Sequence, residues 1–74
     1  MNADQARMAR AALKLSVRDL AGLAKVSPNT VTRLEAGLEV NNSTRASIQH
    51  ALEAAGVEFT NGEQPGVRFR KKPA

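Results

Sequence analysis

Side chains that could read another molecule by hydrogen bonding crowd into one short stretch, SPNTVTR, from Ser27 to Arg33. The amide of Asn29, the hydroxyl and methyl of Thr32 and the guanidinium of Arg33 are interleaved with apolar Val31 and followed by Leu34. The apolar pair can hold the segment to a core while the polar set projects outward. These types suit the major groove of duplex DNA: Asn pairs bidentately with adenine, Arg with guanine, and Thr offers both a hydroxyl and a methyl. Bond-making chemistry has far less to work with. The chain has no Cys and one His, His50, which falls beside Gln49 on the polar side of a helix whose core positions are Ile48 and Leu52. A lone surface His supplies neither a catalytic pair nor a metal-ligand cluster. We therefore expect a binding protein with no metal and no cofactor, not an enzyme.

The elements that must position this stretch are legible from apolar spacing and stop signals. Ala6, Ala9, Arg10 and Leu13 follow the i, i+3, i+4, i+7 template, predicting an amphipathic helix over about residues 4–13 with an Arg on its inner edge that needs a partner. Ser16 is an N-cap with Asp19 three residues on, and Val17, Leu20, Ala21 and Ala24 repeat the template in a short second helix. Ser27-Pro28 starts a third, because Ser27 accepts from a first-turn N–H and Pro28 lacks the N–H that would be orphaned there; Gly37 stops it. Asn42 or Ser43 caps a fourth, with Ile48, Ala51, Leu52 and Ala55 inward and Gly56 at its end. Beyond Gly56 the period falls to two. VEFT and VRFR flank the turn-forming NGEQPG, predicting a β-hairpin with Val57, Phe59, Val67 and Phe69 on one face. The second and third helices are joined by only about three residues, too few to return the chain antiparallel, so they cross steeply as a helix-turn-helix.

Composition sets bounds. A chain of 74 residues is too small to wall off a deep cleft and still bury enough apolar surface, which favours binding on a surface. No apolar run approaches the ~20 residues of a membrane span, and there is no signal-type stretch at the start, so a soluble cytoplasmic protein is expected. The net charge of +4 is unevenly spread. Through residue 64, seven basic side chains offset seven acidic ones, and the excess lies in Arg68, Arg70, Lys71 and Lys72. Within the body, residues 1–35 hold six basic and three acidic groups, and residues 36–64 one basic and four acidic. One side can attract phosphate while the other does not. RNA is disfavoured: there is no Tyr or Trp to stack on, and both Phe residues are expected to be buried.

The segment LSVRDLAGLAKVSPNTVTRLEAG resembles the phage repressor and Cro family of helix-turn-helix regulators, the XRE family, at Leu15, Ser16, Leu20, Ala21, Val26, Ser27, Thr30, Val31, Arg33, Glu35 and Gly37. The resemblance implies a mainly α, lambda-repressor-like helix-turn-helix domain of four helices, here over residues 1–56, followed by the hairpin and basic tail of residues 57–74. It implies base-reading roles for Pro28, Asn29, Thr32 and Arg33, with Ser27 and Thr30 nearer the phosphates, and a structural ion pair between Arg10 and Glu35. Three departures stand out. Val17 occupies a position usually held by Gln or Asn and cannot hydrogen-bond. Lys14 and Lys25 stand where the family has turn glycines, so a left-handed backbone there costs of order 1 kcal/mol each, partly recovered if the ammonium groups reach phosphates. The hairpin replaces a fifth helix common in the family.

The resulting expectation is sequence-specific binding of double-stranded DNA by a homodimer that regulates transcription, with Lys25 and Arg45 as phosphate contacts and the hairpin as dimerisation element. The competing expectation is a protein-interaction module, such as the antitoxin of a toxin-antitoxin pair. It rests on Leu23, which lies off the apolar stripe of its helix as an exposed anchor.

Overall fold

The computed structural model describes residues 1–70; Lys71 and Lys72 of the expected basic tail lie outside the described residues. Four helices, α1 (Ala3–Ala12), α2 (Val17–Ala24), α3 (Pro28–Glu35) and α4 (Asn42–Ala54), precede the strands β1 (Val57–Thr60) and β2 (Gly66–Phe69). Each helix starts on a side-chain cap. Asn2 and Gln5 form a reciprocal capping box on α1, Ser16 and Asp19 another on α2, and Ser27 and Asn41 accept from Thr30 and Thr44 N–H groups at the starts of α3 and α4. Two sequence expectations shift here. The α1 box begins the helix slightly earlier than the apolar template implied, and α4 is capped by Asn41, one or two residues ahead of the Asn42 or Ser43 expected, because Asn41 is the residue whose side chain reaches the Thr44 N–H, at 2.8 Å.

Three helices end alike. Leu15 N–H donates to the Arg10 carbonyl and Lys14 N–H to Ala11; Val26 donates to Ala21 and Lys25 to Gly22; Leu38 donates to Arg33 and Gly37 to Leu34. These paired closures each require a residue with positive φ. Lys14, Lys25 and Gly37 supply it, at φ 57°, 59° and 80°. The two lysines are left-handed as expected.

The core is built from small and medium side chains: Ala6 and Ala9 of α1, Leu20, Ala21 and Ala24 of α2, Val31 and Leu34 of α3, Ile48 and Leu52 of α4, and Val57 of β1. Alanines on α1 and α2 let the backbones approach closely. The hairpin is antiparallel, with Val57 opposite Phe69, Glu58 opposite Arg68, Phe59 opposite Val67 and Thr60 opposite Gly66. It lies over α1 and α4. Its shared face divides: Val57 is core, Phe59 and Val67 pack partly against it, and Phe69 is 65% exposed. The expectation that both Phe residues are buried is therefore corrected. Val57, Phe59 and Val67 pack on the core, whereas the Phe69 ring, at the end of β2 opposite buried Val57, is left uncovered.

Gln5 fastens the hairpin. Its buried side chain accepts from Asn2 N–H through Oε1, and its Nε2 donates to the carbonyls of Thr60 (2.8 Å) and Gly66 (3.1 Å). Both partners are backbone groups of one cross-strand pair. Across the fold, Arg10 makes a two-pronged bond to Glu35, Nε to Oε2 at 2.7 Å and Nη2 to Oε1 at 2.9 Å, and donates from Nη1 to the Leu15 carbonyl at 3.1 Å. Arg7 adds a bond to the Glu35 carbonyl. Among the described residues, no helix is long and apolar enough to cross a membrane.

The pair is asymmetric in burial, with side-chain exposure of 26% for Arg10 and 9% for Glu35. Breaking it should therefore be asymmetric too. Arg10→Met strands a carboxylate in the interior and should cost about 3–5 kcal/mol, most of the stability of so small a domain. Glu35→Gln leaves an Arg that water still reaches and should cost clearly less, and urea unfolding of both variants reads the difference.

Candidate nucleic-acid interface

Helices α2 and α3 are linked by Lys25, Val26 and Ser27 alone. Val26 packs partly against the core and Lys25 turns outward in its left-handed conformation, which redirects the chain. Ser27 Oγ then accepts from Thr30 N–H at 3.2 Å and lies 2.8 Å from Thr30 Oγ1. Two hydroxyl protons meet in a single O···O contact, so one remains to donate outward, as a phosphate contact requires. Pro28 occupies the first turn.

Val31, Leu34 and Glu35 hold α3 to the core, while Pro28, Asn29, Thr32 and Arg33 are exposed on the other side and Thr30 is half-buried. Thr32 Oγ1 donates to the Pro28 carbonyl at 3.2 Å and Arg33 Nη2 to the Glu39 carbonyl at 3.2 Å. The Asn29 amide has no hydrogen bond within the described residues, which leaves its full donor and acceptor set for a partner. Thus Ser27, Pro28, Asn29, Thr30, Thr32, Arg33 and Lys25 lie on one continuous turn-and-helix. Arg45 stands apart on α4, half-buried, with Nη1 donating to the Met1 carbonyl at 3.1 Å. No hydrogen bond or ion pair joins it to α3. It ties the start of the chain to α4, a role its position near a helix cap did not reveal.

Among the described residues, Arg7 pairs with Asp4, Arg10 with Glu35 and Arg68 with Glu58. Lys14, Arg18, Lys25 and Arg33, which fall between the end of α1 and the end of α3, have no ion-pair partner among the described residues, and neither do Arg45 on α4 and Arg70 after β2. Exposed Arg18, in the first turn of α2, was not singled out from the sequence. Its signal was there, a lone cation just after the Ser16 cap. The one carboxylate between Lys14 and Arg33, Asp19, is occupied by the cap: its Oδ2 accepts from Ser16 N–H at 3.0 Å, and that bond, with the Ser16 hydroxyl, holds its pKa below the ordinary value.

The short linker and the outward polar face of α3 fall within the span that a family model for the helix-turn-helix domain matches, residues 3–58. The chain belongs to the helix-turn-helix domain family. No curated protein matches it. The match takes in all four helices of this helix-turn-helix protein and the first residues of β1, and it makes DNA binding the general activity of the fold described.

Two outcomes follow from this geometry. Lys25→Gly should relieve the left-handed backbone and stabilise the domain by up to about 1 kcal/mol in thermal melts. If the Lys25 ammonium meets a phosphate, the same change should weaken binding to all duplexes alike and lower the salt slope by about one. Asp19, with its depressed pKa, contributes stability that is present above its unfolded value near ~4 and lost as pH falls through the folded one. The stability gap between the native chain and Asp19→Asn, measured by urea unfolding, should therefore be open at neutral pH and close on acidification.

Proposed function

We propose that this helix-turn-helix protein is a repressor- and Cro-like transcriptional regulator that reads duplex DNA sequence-specifically with α3, acting by occupancy of its site and not by catalysis. The observation that carries the reading is the free Asn29 amide on the outward face of α3, in a segment from the end of α1 to the end of α3 where Lys14, Arg18, Lys25 and Arg33 have no ion-pair partner among the described residues. Cations position a protein on the phosphate backbone; base edges are read by side chains like Asn29. The reading needs no cofactor and a cytoplasmic address alongside the DNA.

A single helix of this kind spans only a few base pairs, so useful discrimination calls for two copies whose reading helices enter successive major grooves about 34 Å apart. We assign the homodimer contact to the hairpin end. There Phe69 leaves a large apolar group uncovered, and the outer strand edges of the two-stranded sheet are open to pairing. Within this reading, Arg45 serves the fold first and a phosphate only with the donors that Met1 leaves over.

Selection of bound sequences from a random duplex library should return a palindromic consensus, settling binding, symmetry and half-site spacing together. Sedimentation should show a dimer for the native chain and a shift toward monomer for Phe69→Ser. An unenriched library would transfer the weight to a protein-interaction module, for which the exposed Leu23 of α2 is the available anchor.

A further inference from the structure

Threonine brings two different groups to a binding face, and the structure distinguishes them at Thr32. Its hydroxyl proton is used internally, with Oγ1 donating to the carbonyl of Pro28 one turn back along α3. Such a back-bond turns the oxygen toward the preceding turn of the helix. The methyl Cγ2, on the other branch of Cβ, takes no part in that bond, and the residue is exposed. Its neighbours are also assigned. Asn29, three residues earlier, keeps its amide free, and the Arg33 guanidinium leans toward the segment after α3, where it donates to the Glu39 carbonyl. From its N-terminal end, α3 therefore presents an amide, then a methyl, then a cation.

We propose that Thr32 reads the C5-methyl of a thymine through Cγ2, beside an adenine read by Asn29. The inference rests on the reading of α3 as the base-reading helix. Thymine is the one base of unmodified DNA that carries a methyl group in the major groove, and apolar contact with a threonine methyl is a recognised way of selecting it. Asn29 and Thr32 are separated by about 4.5 Å along the helix, close to the ~3.4 Å between base pairs. The two side chains thus address neighbouring steps of one half-site. Burying one methyl is worth about a fourfold change in affinity.

The test uses the full chain and the duplex it enriches from a random library, with each thymine replaced singly by uracil, which lacks only the methyl. The native protein should bind one uracil-substituted duplex about fourfold more weakly than the parent. Thr32→Val keeps an outward methyl and gives up the hydroxyl, so its sensitivity to that uracil should persist. Thr32→Ser keeps the hydroxyl and gives up the methyl, so it should bind the thymine and uracil duplexes alike. Position 32 is exposed, and melting curves of both variants confirm that they are folded. Uracil sensitivity that survives in Thr32→Ser and disappears in Thr32→Val would overturn the methyl assignment, as would a native protein indifferent to uracil at every position. A library that yields no enriched sequence would overturn the DNA-reading proposal itself, and this inference with it.

Discussion

The two-pronged bond between Arg10 and Glu35 fixes where the third helix lies, and everything the domain presents to a partner depends on that placement. At eight residues, α3 is too short to persist alone. Its apolar contribution to the core is only Val31 and Leu34. The remaining buried position is Glu35, whose carboxylate is stable there because Arg10 meets both oxygens. Arg10 is in turn completed by the Leu15 carbonyl of the α1–α2 turn. The geometry of a planar fork on a carboxylate leaves little freedom to slide or roll, so one ion pair sets register as well as position. The same hydrogen bonds raise the pKa of Arg10, with burial opposing them, and keep it charged. Arg7 reinforces the arrangement at the Glu35 carbonyl, where a cation complements the C-terminal end of α3.

Helix α1 thereby serves two clients on different sides. Arg10 reaches α3, and Gln5 reaches the hairpin, while Ala6 and Ala9 between them face the core. The hairpin packs on α1 and α4, and α3 packs on α1 and α2. Helix α3 and the hairpin are therefore coupled through α1. A rigid α1 transmits the position of one to the other, which matters for any assembly in which the hairpin end joins two copies and the two α3 helices must be correctly spaced.

The sequence made the helices legible because their signals are local. Ser16 with Asp19, Ser27 with Pro28, and Gly37 each act within one turn, and the structure uses all of them. The left-handed lysines were legible only through the resemblance, since nothing intrinsic to Lys announces a positive φ. Other features depended on partners distant in the chain. Gln5 reads as a polar residue in a first turn, and its role becomes visible only when Thr60 and Gly66 are brought against it. Arg45 reads as a cation near a cap until Met1 arrives beside it. For Phe69, alternation correctly gave the face of the strand, but burial depends on which positions of that face pack on the core. Arg10 was the intermediate case: an Arg on an apolar edge demanded a partner, and only the family resemblance said which.

The strain at Lys14 and Lys25 finally bears on why this domain is arranged as it is. Glycine would satisfy both helix closures at lower conformational cost, yet the chain carries cations there. The two positions flank α2, with Arg18 on its first turn and Arg33 on the following helix, so replacing the lysines by glycine would remove two of the four unpaired cations between the end of α1 and the end of α3. Among the described residues Arg7 and Arg68 are paired with carboxylates, which weakens their pull on an anion, while Arg45 on α4 and Arg70 after β2 have no ion-pair partner. Cations without a carboxylate partner exert the stronger pull on a polyanion. The left-handed lysines thus place charge, at a cost in backbone strain, at two turns where glycine would carry none.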